Sequence, residues 1–549
     1  MRLASCPAYS PKRVEGVFSE VSKPERRTVV RYSLLLIGES SYYVRTGARE
    51  GVSVPGMVRA TRAAAMLLAA LIVSLVSAGA REAQQAGSTD ERAKNVIIFI
   101  GDGMGSSHRD LVRYATVGTA GQQLAMDSMP YAGRSETSPL DPEAFVTDSA
   151  AGGTAIATGV KTFNGAVGID ADENPVPTVL ERAREAGKAT GLVSNSQITD
   201  ATPASFAAHV ADRDEQSEIA RQYIQESKPD VILGGGEDYW YPEGEAGAHP
   251  DEPKEDPQEK SAGTEGDLVR RAQDLGYEYV TDAAELRMAS GPQLLGLFAN
   301  EEMFQQAPEG EGAVYEPPVS LSEMTQKAIE TLSLDPDGFF LMVEEEGIDE
   351  MAHQSNAELV IEAGQHLDEA VKVGKSFAER DRDTLVIVAA DHETGSLAIE
   401  DTNEIQSDPD YPNESGEGRT AEDGPFRVVN SDKRFLVDWT TTNHTAEDVP
   451  VTAMGPGGQN LVGVYENTHI HDAMLSAFFA SSSAPSASAT APASASATAS
   501  VSAPASSSAG AQQMPQTGGS ALGAPLLALA ALFVGIAGFA YVRRVVREP

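Results

Sequence analysis

Five short apolar runs punctuate the middle of the chain: NVIIFI (Asn95–Ile100), ATGLVSN (Ala189–Asn195), DVILGGG (Asp230–Gly236), FFLMVE (Phe339–Glu344) and TLVIVAA (Thr384–Ala390). They are six or seven residues long and show no polar alternation. Continuous apolar runs of that length fit strands covered on both faces, as in a parallel sheet. Between them lie stretches such as VPTVLERAREAG and NAELVIEAGQHLDEAVKVGKSF, whose apolar positions recur at helical spacing. Strand and helix in alternation predict an α/β architecture: a doubly wound, mostly parallel central sheet with helices on both faces. The pattern runs through one large domain, residues 93–479.

The flanks follow different rules. Met57 opens a segment with Arg59 and Arg62, an apolar run Ala63–Val76 and the small residues Ala78-Gly79-Ala80. That is the pattern of a secretory signal peptide over 57–80, and the run is short for a membrane anchor. Translation is then expected to start at Met57, with 1–56 a mis-assigned extension. Residues 481–513 are almost entirely Ser, Ala and Pro, a composition that forms a linker and no core. In the final segment, 514–549, MPQTG (Met514–Gly518) precedes an apolar run ending near Val542, then Arg543, Arg544 and Arg547. The run is long enough to span a bilayer, with a positive stop. This order resembles the sorting signal of Gram-positive surface proteins, LPXTG, with Met514 in place of Leu. A plain membrane anchor is the alternative. Either one predicts a domain outside the cell, held at the wall or membrane.

Charge and cysteine content narrow the chemistry. The net charge of −40 argues against nucleic acid as a specific partner, because binding it needs a basic surface. The single cysteine, Cys6, leaves the domain without disulfides or a thiolate metal site. Any metal there must be held by carboxylates, imidazoles and hydroxyls.

Ligands in doubly wound folds bind at the carboxyl ends of strands. Here the first run leads into Gly101-Asp102-Gly103-Met104-Gly105, the fourth into Glu344 with Asp349 and His353 beyond, and the fifth into Asp391-His392. One acid after a strand is usually a cap or turn former. Three strands delivering acids and histidines toward one edge point to a metal cluster. Asp349 and His353 are i and i+4, on one face of a helix. Asp391 and His392 can share a metal if the backbone turns sharply. His444 sits in NHTAEDVPV among turn formers. Imidazole with carboxylate suits Zn²⁺, and oxygen ligands suit Mg²⁺. GDGMG lacks the Lys-Ser/Thr of a P-loop. Its glycines read as a turn that aims Asp102. VTDSAAGGTAIATG (Val146–Gly159) places Asp148 and Ser149 at a helix start. Alone they read as an N-cap, although a helix N-terminus also favours a phosphate.

Seven segments, NVIIFIGDGMG, VTDSAAGGTAIATG, ITDATPASFAAHVADR, VILGGG, FFLMVEEEGIDEMAH, VIVAADHETG and HTAEDVPV, resemble in order and spacing the alkaline phosphatases. The resemblance covers nearly all of the domain. It implies phosphomonoester hydrolysis through a phosphoserine on Ser149, with Arg213 binding phosphate. It also implies two zinc ions, one on Asp349, His353 and His444, the other on Asp102, Asp391 and His392. A magnesium ion is implied on Asp102, Thr202 and Glu344, supported by Asp200. Glu350 stands where a basic or imidazole residue is common and adds negative charge near the phosphate. Small phosphomonoesters are the implied substrates, and a homodimer the implied assembly. A phosphodiesterase or nucleotidase of the same superfamily is the alternative, and an inactive surface-binding protein a more distant one.

Overall fold

The five apolar runs all become strands of one ten-stranded sheet in the computed structural model. They are β1 (Asn95–Gly101), β3 (Ala189–Gln197), β4 (Val231–Gly235), β7 (Phe339–Glu345) and β8 (Thr384–Ala389). Five further strands complete it: β2 (Tyr131–Glu136), β5 (Glu278–Val280), β6 (Leu294–Leu297), β9 (Val449–Met454) and β10 (Gly463–Glu466). The order across the sheet is β10-β2-β9-β8-β1-β7-β3-β4-β6-β5. Only β9 runs against the rest. The sequence pattern hides these five for physical reasons. β2 is half exposed and polar, and β5 has three residues.

Alternation along each central strand feeds two cores. Ile97 and Phe99 of β1, Leu341 and Val343 of β7, and Val386 and Val388 of β8 face one side. Val96, Ile98, Phe340, Met342, Leu385 and Ile387 face the other. All are fully buried, and truncating any one to alanine costs about 2–5 kcal/mol. Helices α1 (Ser106–Thr116) and α5 (Ala357–Asp381) bury residues in the first core. Helices α2 (Ser149–Thr158) and α3 (Ala201–Ala207) do so in the second. The sheet is therefore covered on both faces, as its apolar runs require. The short α4 (Gly347–His353) follows β7 and packs on α5.

The described residues of this unit are 92–119, 121–250, 261–305, 313–401 and 422–479. Contacts divide the chain into Ser88–Ala495 and a second unit of Met1–Gly87 with Ser496–Pro549. In the second, three short strands, Val14–Gly16, Tyr32–Leu36 and Tyr42–Tyr43, pair antiparallel. The signal-like segment 57–80, the linker 481–513 and the tail 514–549 lie outside the described residues, among which no helix is long and apolar enough to cross a membrane. The stretch that follows β4 is anchored at its start. Trp240 is fully buried, and the buried Glu237 carboxylate accepts the Ala248 N–H at 3.0 Å.

Candidate active site

β8, β1, β7 and β3 are consecutive neighbours, and their register is tight at the carboxyl ends. Ala389 pairs with Ile100, Gly101 with Glu345, and Glu344 with Ser194. Asp102, Glu344 and Asp391 thus emerge at one edge of the sheet. The turn after β1 needs glycine at Gly103, where φ is +64° and a Cβ would lie 2.4 Å from Asp349 Oδ1.

Helix α4 places Asp349 and His353 on one face, with His353 Nε2 3.0 Å from Asp349 Oδ2. His444 arrives from a long excursion. A three-stranded antiparallel sheet (Leu397–Asp401, Glu422–Arg427, Arg434–Trp439) returns the chain to the site. The two-residue strand His444–Thr445 then pairs with Glu393–Thr394. The imidazoles are held from behind. His353 Nδ1 lies 2.6 Å from the Thr442 carbonyl, and His444 Nδ1 lies 3.0 Å from the Thr147 carbonyl. A carbonyl accepts only, so each Nδ1 carries a proton and each Nε2 faces inward, where it takes either a second proton, donated to Asp349, or a cation. These Nε2 atoms are 3.1 Å apart. Two lone pairs at that distance repel unless a proton or cation stands between them. With Asp349 they form one cluster of ligand atoms within 4.8 Å of one another.

A second cluster joins Asp102, Asp349 and His392 under the same limit. The backbone bends at Asp391, which brings Asp391 Oδ2 to 3.3 Å and Asp102 Oδ1 to 3.5 Å from His392 Nε2. Ser149 Oγ lies 3.2 Å from the same nitrogen. The trio expected from sequence thus meets around His392, and Asp349 reaches in from the first cluster. Nearby, Thr202 donates to Asp102 Oδ2 at 3.1 Å, and Ser194 donates to Glu344 Oε2.

The electrostatics are those of a cation site. Asp102 Oδ1, Glu344 Oε1 and Asp391 Oδ2 are buried with no hydrogen-bond partner. A buried carboxylate oxygen without a donor is costly, and a bound cation relieves it. Burial, then the charges of Asp391, Asp349 and Glu344, pushes the Asp102 carboxyl well above the usual carboxylate range. Burial likewise raises Glu344 to about 8 and Asp391 to about 7. Asp349 goes the other way: burial opposes its charge, but hydrogen bonds from His353 and His444 hold it well below its ordinary value. Carboxylates and inward-turned imidazoles are donors that divalent metals accept.

The phosphate-facing groups sit beside this cluster. Ser149 is the first residue of α2, and Asp148 is the N-cap, accepting the Ala151 N–H at 2.9 Å. Arg213 donates through Nη2 to both Asp200 oxygens, at 3.0 and 2.9 Å, and Nη1 lies 3.7 Å from Asp148 Oδ2. Burial works against its charge, but Asp200 and Asp148 outweigh that and secure it. Glu350, next to Asp349 on α4, is raised to about 8 by burial and by Asp349. Three participants were not apparent in the sequence. Thr394 donates its hydroxyl to Asp349 Oδ1, Ser194 binds Glu344, and Glu346 is a buried acid with Oε2 unpartnered. Ser and Thr carry no signal of their own, and Glu346 is masked by the adjacent Glu344-Glu345.

The alkaline phosphatase family model matches residues 93–480. Alkaline phosphatase 3 of Bacillus subtilis is 34% identical over 448 residues, covering 72% of this chain and 91% of the relative. Alkaline phosphatase of Escherichia coli is 33% identical over 441 residues, covering 71% and 87%. Among solved structures, alkaline phosphatase of the Antarctic bacterium TAB5 superposes with a TM-score of 0.55 at 30% identity, covering 71% of this chain and 98% of that one. A mutant of that enzyme was solved with Mg bound in its M3 site. The chain belongs to the alkaline phosphatase family and hydrolyses phosphate monoesters.

Proposed function

We propose that this phosphatase works through a phosphoserine on Ser149, with two zinc ions and one magnesium ion. Asp349, His353 and His444 hold the first zinc, and Asp102, Asp391 and His392 the second. Asp102, Thr202 and Glu344 hold the magnesium. When bound, the metals stabilise the oxyanions of the serine, the phosphate and the departing alcohol. The observation that carries the reading is Ser149 Oγ, 3.2 Å from His392 Nε2 at the start of α2.

Ser149 Oγ gives up its proton and attacks phosphorus, the bond to the alcohol oxygen breaks, and the departing oxygen takes up a proton to leave as the alcohol. Water then attacks the phosphoserine, the P–Oγ bond breaks, and phosphate leaves as Ser149 regains its proton. Arg213 binds two phosphate oxygens with its planar fork, oriented by Asp200. The N-terminus of α2 favours the same negative charge. No group in this constellation reads the alcohol, so the specificity is broad among small phosphomonoesters.

Ser149→Ala loses about a thousandfold or more in kcat, and acid quench of the wild type traps phosphate on Ser149. Full activity in Ser149→Ala sinks the mechanism. Assay of p-nitrophenyl phosphate beside the bis-ester separates this reading from a phosphodiesterase. We further propose export through the 57–80 segment, attachment through MPQTG or the apolar tail, and a homodimer. Mass spectrometry of the mature ends tests the first two. Peptides from residues 1–56 sink the Met57 start, and an intact tail beyond Thr517 rules out sortase cleavage.

A further inference from the structure

We infer that Glu393 is a positioning residue that clamps together the backbone segments carrying the metal ligands. The inference rests on the ligand roles proposed above. Glu393 follows His392 directly and is 1% exposed. Its Oε1 accepts the Ser396 N–H at 2.9 Å, which closes the turn after Asp391-His392-Glu393-Thr394. Its Oε2 accepts the Thr445 hydroxyl, and Thr445 is both its cross-strand partner and the neighbour of His444. Its aliphatic stem meets the third segment: a Cβ on Gly105 would lie 2.2 Å from Glu393 Cγ. Gly105 closes the GDGMG loop that carries Asp102.

One buried side chain therefore touches the loop of Asp102, the turn of Asp391 and His392, and the strand of His444. Its strand neighbour Thr394 adds to the same tie, its N–H donating to the Gly103 carbonyl at 3.0 Å and its hydroxyl to Asp349. The contacts also explain why a carboxylate is used. Both polar partners are donors, a backbone N–H and a hydroxyl, and a carboxylate accepts from both. Glutamine at this position turns an amide N–H₂ toward one of the donors. His108 is not its counter-ion. The His108 Nδ1 nearest to Glu393, 3.8 Å from Oε1, accepts the Gly105 N–H at 3.1 Å and has no proton to offer. A carboxylate buried without a cationic partner is kept at a cost, and holding ligand-bearing segments in register gives it a use. Partners behind the ligands commonly set metal affinity as strongly as this.

The test uses the full chain, stripped of metal and titrated with zinc alone against a chromophoric chelator. Glu393→Gln and Thr445→Val are expected to weaken zinc binding about 10- to 100-fold, while Thr445→Ser, which keeps the hydroxyl, binds like wild type. At saturating zinc, with magnesium also supplied, kcat recovers and KM stays at the wild-type value, because neither residue touches the substrate. Thr445→Val also lowers the melting temperature of the metal-free protein, because it strips a donor from a buried carboxylate oxygen; the weakened zinc binding with unchanged KM and recovered kcat separates positioning from a loss of stability alone. Wild-type zinc affinity in Glu393→Gln and Thr445→Val overturns the inference, and if Glu393→Gln does not fold, Thr445→Val alone decides. A wild-type protein that takes up no zinc overturns the ligand roles as well, so the two failures are distinguishable.

Discussion

Asp349 shows how much one residue can carry. It contacts His353, lies 3.7 Å from His444 Nε2 and 3.9 Å from His392 Nδ1, and accepts from Thr394. A carboxylate shared between two clusters fixes their separation, which the i, i+4 spacing alone could not reveal. The spacing did place His353 beside Asp349, because a helix face is a local property. It could not bring in His444, about ninety positions away, whose side chain is placed by strand pairing with Thr394. Only the family resemblance assigned that role in advance. Arg213 is the residue where chemistry and geometry give a sharp expectation. Its guanidinium is held by Asp200 and Asp148 in a pose that lysine cannot copy, because an ammonium lacks the planar fork. Arg213→Lys therefore raises KM and the inhibition constant of inorganic phosphate about tenfold to a hundredfold, the loss of one charge-assisted contact of about 1.5–3 kcal/mol. Steady-state kinetics with phosphate as inhibitor checks this, and unchanged constants remove Arg213 from phosphate binding.

At the scale of elements, α2 explains why its small residues matter. All ten of its residues are buried, and its glycines lie where neighbours come closest. A Cβ on Gly152 would lie 3.1 Å from the Asp391 backbone oxygen, and one on Gly153 3.0 Å from Ser205 Oγ. In an exposed helix, Gly→Ala stabilises by about 1 kcal/mol. Here Gly152→Ala must move the Asp391 bend, and misplacement of a ligand is costly in rate. Gly152→Ala is expected to lower kcat/KM about tenfold or more, whereas Gly153→Ala, which presses only on the Ser205 side chain, loses less. The pair is compared by kcat/KM in protein reloaded with metal, and equal losses refute the distinction. The element pattern was legible wherever burial was two-sided. β1, β7 and β8 are visible as apolar runs because both faces are covered. β2 and the edge strand β10 were hidden because they carry polar and exposed positions, and β9 because its apolar residues are broken by Pro450 and Thr452. The single antiparallel strand, β9, has no local signature, since direction is set by the connections.

The whole molecule combines an acidic shell with an acidic centre, and the two respond differently to solution conditions. The net charge of −40 is visible in the composition. The central concentration of carboxylates is visible only after folding, when β1, β7 and β8 bring Asp102, Glu344 and Asp391 to one edge. Without metal, that centre stays folded most easily with protons on its acids. Glu344 sits at about 8 against an ordinary 4.5, and Asp391 at about 7 against 3.8. Each folded value is raised, so the unfolded chain releases its proton first. The stability these groups contribute is present below their ordinary values and is lost as pH rises through about 7 to 8. Metal reverses the sign, because it binds the deprotonated ligands and competes with the same protons. Each metal present at about 100 times its dissociation constant adds about 2.7 kcal/mol. Between about pH 5 and 9, the melting temperature of protein in chelator is therefore expected to fall as pH rises, while that of protein in zinc and magnesium rises or holds. The gap between the two curves widens steadily toward alkaline pH. Parallel curves would mean that the buried acids at the ends of β1, β7 and β8 are not where the metals bind.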